Sequence, residues 1–213
     1  VRFIDAVARL EPLPDVLPAA STALTTIVRT DADWVRPDLP PSTARATRPA
    51  AVLVLVFPDD AGDARLVLIE RTTHDGHHSG EVSFPGGKAE PGDADEAATA
   101  LREAAEEVAL DPAAAGVRVV GTLEPFWIPV SDFRVTPIVA IADRAPVLTP
   151  DPREVASILV PPLRVFLPDA PVEIVERTIR DWPLRFGAYP VDGHAVWGAT
   201  ARVLSQLGHV LAR

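Results

Sequence analysis

The sequence predicts an α/β fold, a mixed sheet held between helices in an α/β/α sandwich, and three observations carry that reading. Runs of β-branched and aliphatic residues recur at strand length from Ala50 onward, an amphipathic helical pattern interrupts them in mid-chain, and a second such pattern closes the chain. A chain of 213 residues with 47% hydrophobic content can bury a full core, and its length favours one domain with decorations over two equal ones.

Residues 1–49 read as an irregular N-terminal arm: a short amphipathic pattern at Phe3–Leu10, then a Pro-rich tract, "RPDLPPSTARATRPA". The sandwich domain is expected over 50–213. Its first two strands are "AAVLVLVF" (Ala50–Phe57) and "ARLVLIER" (Ala64–Arg71), a hairpin about the turn "PDDAGD". A loop follows, with a short extended stretch at Glu81–Phe84 closed by a Pro-Gly-Gly turn. The mid-chain helix begins next, with Asp93 or Asp95 as its N-cap. "GVRVVGTLEP" and "DFRVTPIVAIAD" read as strands, "PREVASILVPPLRVFL" as strand then short helix, and "VEIVERTI" with "RFGAYPVDG" as a late hairpin. In the closing helix Val196, Ala199, Val203, Leu207 and Val210 line one side, and Trp197 reads as core.

Composition narrows the function. No run of 18 apolar residues and no apolar signal region is present, so the expectation is a soluble, cytoplasmic protein with no membrane partner. With no Cys there is neither a disulfide framework nor a thiolate metal site. A formal charge of -10, one lysine (Lys88) and scattered arginines argue against nucleic acid. An anionic ligand would need another source of positive charge.

Three glutamates could recruit one in the form of a bound cation. Glu103, Glu106 and Glu107 stand at i, i+3, i+4, so a helix brings them out side by side, with Leu101, Ala104, Ala105 and Val108 turned to the sheet. A solvated acidic face is the ordinary reading of such a pattern. Here it conflicts with energetics: like charges at this spacing destabilise a helix by about 0.2–0.5 kcal/mol, and the last turns of a helix favour cations. Grouped hard oxygens in that position suit Mg²⁺ or Mn²⁺. The loop histidines His74, His77 and His78 lack a regular ligand spacing and read as hydrogen-bonding loop residues. Trp127, beside Phe126 and Pro129, reads as packing or as a platform for a base. Glu81, on a short strand, could be a solvent-facing alternate, and Glu154 is a remote general base or a surface carboxylate.

"FPGG" (Phe84–Gly87), an acidic loop and "REAAEEVAL" (Arg102–Leu110) together resemble the signature of the Nudix hydrolases, with Gly87 as the signature glycine, Arg102 and Glu103 as its Arg-Glu pair, and Glu106 and Glu107 as its metal-binding pair. Two departures stand out: the spacer from Gly87 to Arg102 is one residue longer than the general pattern, and Ala109 replaces a glycine. The longer spacer, with Arg71, His78, Gly80 and Phe84–Gly87, is similar to the coenzyme A pyrophosphatase-like branch, as are "GTLEPFWIPVSDFRVTPIV", "PREVASILVPPL" and "VWGATARVL". Gly76 stands where that branch carries a second arginine, and Thr72 replaces a Ser or Ala.

The resemblance implies the Nudix fold and an enzyme that hydrolyses a diphosphate with Mg²⁺ or Mn²⁺ on Glu103, Glu106 and Glu107. Arg102 would be a catalytic-site residue that orients Glu103, and Glu81 would point into the cleft. Arg71, His78, Gly80, Phe84, Gly86 and Gly87 would bind substrate. For coenzyme A the products are 3',5'-ADP and 4'-phosphopantetheine. ADP-ribose or an oxidised nucleotide as substrate, or a domain that senses a nucleotide without hydrolysing it, are the other readings. The expected partner is a small nucleoside diphosphate, and a homodimer is left open.

Overall fold

The computed structural model describes residues 1–30, 33–35, 47–72, 81–128, 131–179 and 182–213. In chain order the elements are α1 (Phe3–Leu10), β1 (Ile27–Arg29), β2 (Trp34–Val35), β3 (Arg48–Pro58), β4 (Ala64–Leu66), β5 (Leu68–Arg71), β6 (Val82–Ser83), β7 (Gly86–Lys88), α2 (Glu96–Val108) and α3 (Pro112–Ala115). They continue with β8 (Val117–Thr122), β9 (Phe126–Ile128), β10 (Phe133–Ala142), β11 (Val155–Leu159), β12 (Glu173–Ile179), β13 (Trp182–Val191), β14 (His194–Val196) and α4 (Gly198–Leu211).

Period-2 alternation in two strands builds the sandwich. β3 and β10 run parallel at its centre, from Phe133 opposite Arg48 to Ile141 opposite Val56. On β3, Ala51, Leu53, Leu55 and Phe57 face one way and join Ile138 and Ala140 of β10 under Ala100, Ala104 and Val108 of α2. Val54 and Val56 face the other way with Val139 and Ile141, and meet Leu204, Leu207 and Leu211 of α4 and Ala6 and Leu10 of α1. A strand buried on both faces reads as continuously apolar, which is why the run at Ala50–Phe57 shows no polar alternation. The mixed sheet between helices follows as predicted.

Three local expectations are corrected. "ARLVLIER" is not one strand: β4 pairs with β3, whereas β5 pairs with β11 and β6 in a separate three-stranded sheet, the change of sheet falling at Val67. Gly86–Lys88 is more than a turn, because as β7 it pairs antiparallel with Ala50–Val52. The closing helix starts at Gly198; Val196 belongs to β14, and Trp197, half-buried, precedes the helix and stacks on Phe186 at 4.3 Å.

The segment before Ala50 carries more order than its prolines predict. Leu10 and Leu24 are buried, and β1 pairs with β13. α4 ties this segment down: Ser205 Oγ accepts from Ser21 N–H at 2.8 Å, and Gln206 Nε2 donates to Pro18 O at 2.9 Å. The Pro-rich tract lies largely outside the described residues. No described helix is long and apolar enough to cross a membrane.

Candidate active site

The two aspartates before α2 divide the work. Asp95 is the N-cap, its Oδ1 accepting from Ala98 N–H at 2.8 Å. Asp93 clamps Arg102 instead: Nε donates to Oδ1 at 3.0 Å and Nη2 to Oδ2 at 3.2 Å. Glu90 N–H and the Thr99 hydroxyl, both at 2.9 Å, fill the remaining acceptor positions on Oδ2. These donors, Arg102 first, hold the Asp93 carboxyl well below its ordinary range. Of the two aspartates it is therefore Asp93 that pairs with Arg102. Thr99, fully buried, was not singled out by sequence reasoning, since a lone Thr in a helix gives no signal.

Clamped in this way, and donating from Nη2 to Lys88 O at 3.0 Å, Arg102 presents Nη1 to Glu103 Oε1 and Glu106 Oε2, each 3.1 Å away. The three glutamates differ in setting. Glu106 is exposed, Glu103 is half-buried, and Glu107 is only 2% exposed. Sequence phasing placed Glu107 on the outer face and Ala105 on the inner; the structure has the reverse, with Glu107 turned toward β7 and Ala105 exposed. Gly86 N–H donates to Glu107 Oε2 at 2.8 Å, and Arg71 Nη1 to Oε1 at 3.0 Å. Burial pushes the Glu107 carboxyl up to about 7 against these two favourable contacts, and it raises Glu103 as well. A carboxyl this buried, with two donors on it, is not a solvated surface charge.

Past these residues α2 ends on Ala109, which adopts φ 54°, ψ 34°. That left-handed conformation costs a residue with a Cβ about 1 kcal/mol or more, which explains the glycine usual in the signature. Ala109→Gly is expected to raise the unfolding free energy by about 0.5–1 kcal/mol, after the greater freedom of glycine in the unfolded chain is offset. Urea unfolding of the two proteins checks it; equal midpoints would contradict it.

The residues fit a hard divalent cation in donor chemistry. The candidate donors are all carboxylate oxygens. Gly87 leaves the room that Glu103 uses, since a Cβ there would lie 2.5 Å from Glu103 Cδ. Among the described residues no three carboxylate or imidazole groups are already gathered as a ready cage; each of the three glutamates is paired to an arginine.

A fourth carboxylate stands close by. Thr149 N–H and Asp151 N–H donate to the C-terminal carbonyls of Val108 and Glu107, at 3.0 and 2.8 Å, so the loop before β11 is fastened to the end of α2. Glu154, next on that loop, comes within 3.9 Å of Arg71 Nη2, and its charge contributes to raising both Glu103 and Glu107. Only contacts far apart in sequence produce this placement. The β5–β6 register, Ile69 opposite Ser83 and Glu70 opposite Val82, sets Glu81 across from Arg71, on the same face of that sheet. Arg71 N–H donates to Glu81 O at 3.0 Å.

The other predicted positions scatter. Phe84 turns its side chain into the core on the α4 side, 3% exposed, away from the α2 carboxylates. Trp127 is half-buried and donates from Nε1 to Asp132 Oδ1 at 3.0 Å. His74, Gly76, His77, His78 and Gly80 lie outside the described residues.

Comparison with known proteins accounts for this arrangement. A model of the NUDIX domain matches residues 47–182. Nudix hydrolase 22, chloroplastic, of Arabidopsis thaliana is 42% identical over 171 residues, covering 76% of this chain and 55% of that protein. Nudix hydrolase 15, mitochondrial, of the same plant is 39% identical, covering 76% and 58%. The chain thus spans little more than half the length of these plant relatives. The uncharacterized Nudix hydrolase NudL of Photorhabdus laumondii is 36% identical over 79% of this chain and 89% of that one. Among solved structures, the Nudix hydrolase RenU of M. smegmatis superposes with a TM-score of 0.53 at 20% identity, covering 87% of this chain, a likeness of fold. A domain match that runs from the residue before β3 to the first residue of β13, joined to relatives well above 30% identity across three quarters of the sequence, makes this chain a member of the Nudix family.

Proposed function

We propose that the chain hydrolyses the diphosphate of coenzyme A or a close derivative, releasing 3',5'-ADP and 4'-phosphopantetheine, with Mg²⁺ or Mn²⁺ held by Glu103, Glu106 and Glu107. The observation that carries the chemistry is the setting of Glu107, a nearly sequestered carboxylate between Gly86 N–H and Arg71. The coenzyme A assignment rests on the branch motifs around Arg71 and Phe84–Gly87. The catalytic domain in this reading is 50–213, preceded by the 1–49 segment, and its location is cytoplasmic.

A divalent cation bound at the glutamates would lower the pKa of a water and offset the charge growing on phosphate oxygens. The chain's own residues do the rest. Asp93 fixes Arg102, and Arg102 orients Glu103 and Glu106. Gly86 lets β7 close on β3, and Gly87 leaves room for the Glu103 carboxylate. Arg71 supplies positive charge to an anionic substrate in a protein of net charge -10. A glutamate of α2, Glu154 or Glu81 takes the proton from the attacking water; Glu154 lies 3.9 Å from Arg71, and the Glu81 carbonyl accepts from Arg71 N–H.

A substrate panel with product mass spectrometry tests this: coenzyme A, dephospho-coenzyme A, ADP-ribose and oxidised nucleoside triphosphates, with Mg²⁺ or Mn²⁺. Coenzyme A and its derivatives are expected to give the highest kcat/KM. Because Gly76 replaces an arginine, discrimination between coenzyme A and its dephospho form is expected to be weak. Turnover of ADP-ribose alone would move the substrate and leave the carboxylate chemistry in place.

A further inference from the structure

The branch motif gives Arg71 to the substrate, whereas in the structure its guanidinium is hydrogen-bonded to one carboxylate and lies near a second. Nη1 donates to Glu107 Oε1 at 3.0 Å, and Nη2 lies 3.9 Å from Glu154 Oε2. Glu107 is 2% exposed, so an ionised carboxylate there needs a counter-charge, and Arg71, itself about three-quarters shielded, supplies it. The two roles compete: Nη1, which donates to Glu107, is not available to a diphosphate while that pair holds, and the charge of the guanidinium is shared with both carboxylates. A divalent cation and a guanidinium on one carboxylate would also repel each other.

We propose that Arg71 is an exchangeable counter-ion. It neutralises Glu107 and Glu154 until a divalent cation takes Glu107, and the released guanidinium then binds the diphosphate anion. Metal loading therefore prepares the substrate site, and the acidic cluster is never left both buried and uncompensated. Arg71 lies at the end of β5, immediately before the 72–81 connection, so its long side chain can turn from one partner to the other without a change in the β5–β11 pairing that ends at Val155 opposite Arg71.

The inference rests on the metal reading of α2, and the test separates the two. Mn²⁺ binding is measured by electron paramagnetic resonance at a series of pH values, so that proton competition at the carboxylates is read out for each protein. The set is wild type, Arg71→Gln, Arg71→Lys and Glu107→Gln. Arg71→Gln is expected to bind Mn²⁺ about tenfold more tightly, because a competing charge is gone, while KM for the diphosphate substrate rises. Arg71→Lys keeps a cation in the pair and serves if the Gln variant does not fold. Lacking the planar fork, it is expected to tighten Mn²⁺ by a smaller factor. Equal or weaker Mn²⁺ binding in both arginine variants would overturn the exchange. Unchanged binding in Glu107→Gln would remove the metal reading, and the exchange with it.

Discussion

Glu107→Gln is expected to lower kcat/KM on the preferred diphosphate on the order of 10³-fold, and to abolish most of the rise in Tm expected of the wild type on adding Mg²⁺ or Mn²⁺. The fold should survive, because glutamine keeps the acceptor for Gly86 N–H and removes a charge that burial disfavours. A pH signature follows. The carboxyl is raised from 4.5 to about 7 in the folded protein, chiefly by burial, so the native state holds this proton more tightly than the unfolded chain does. The stability it contributes is fully present below the unfolded value and is lost as pH rises through the folded one. At about 1.4 kcal/mol per pKa unit the effect is a few kcal/mol. With chelator present, wild-type Tm should fall relative to Glu107→Gln between roughly pH 5 and pH 7.5. Parallel curves for the two proteins would show that Glu107 is not strained.

Gly87→Ala is expected to separate function from stability. A Cβ at Gly87 would lie 2.5 Å from Glu103 Cδ and 2.6 Å from each of its oxygens, all at the free end of a flexible side chain. The carboxylate can swing away, so Tm should change by only a few degrees while activity falls on the order of 10²-fold, because a displaced ligand removes the charge-stabilising contact. Gly86→Ala provides the contrast. There φ is +151°, and a Cβ would meet Ala51 O at 2.4 Å and Val52 Cα at 2.5 Å, backbone atoms that cannot move without breaking the β3–β7 pairing. That variant should unfold several degrees lower or fail to fold. Full activity and an unchanged metal response in Gly87→Ala would contradict the part given to Glu103.

The carboxylate helix was legible because its cost is local. Like charges at i, i+4 with no lysine beside them can be seen in a few residues, and the glycines before them belong to the same stretch. Strand positions in the mixed sheet were legible for the same reason, since periodicity is local. What escaped depends on pairing across the chain. The break at Val67 is invisible because both halves of "ARLVLIER" are equally apolar, and only β11, some ninety residues on, takes the second half. β1 and β2 are too short to stand out from a Pro-rich segment. The phase of α2 erred at Ala105 and Glu107 because burying a glutamate instead of an alanine makes sense only beside Arg71 and Gly86 N–H. The choice between Asp93 and Asp95 required the side-chain partners themselves.

The most direct test of the account is turnover of coenzyme A in ¹⁸O-labelled water with Mg²⁺ or Mn²⁺. Attack of water on phosphorus, supported by the α2 carboxylates, requires 3',5'-ADP and 4'-phosphopantetheine as products, with one label on a phosphate of one of them and none on the pantetheine carbon skeleton. Loss of this turnover in Glu106→Gln/Glu107→Gln completes the expected result. Label on carbon, or labelled products at an undiminished rate from the double variant, would contradict the claim that this helix carries a diphosphate hydrolysis.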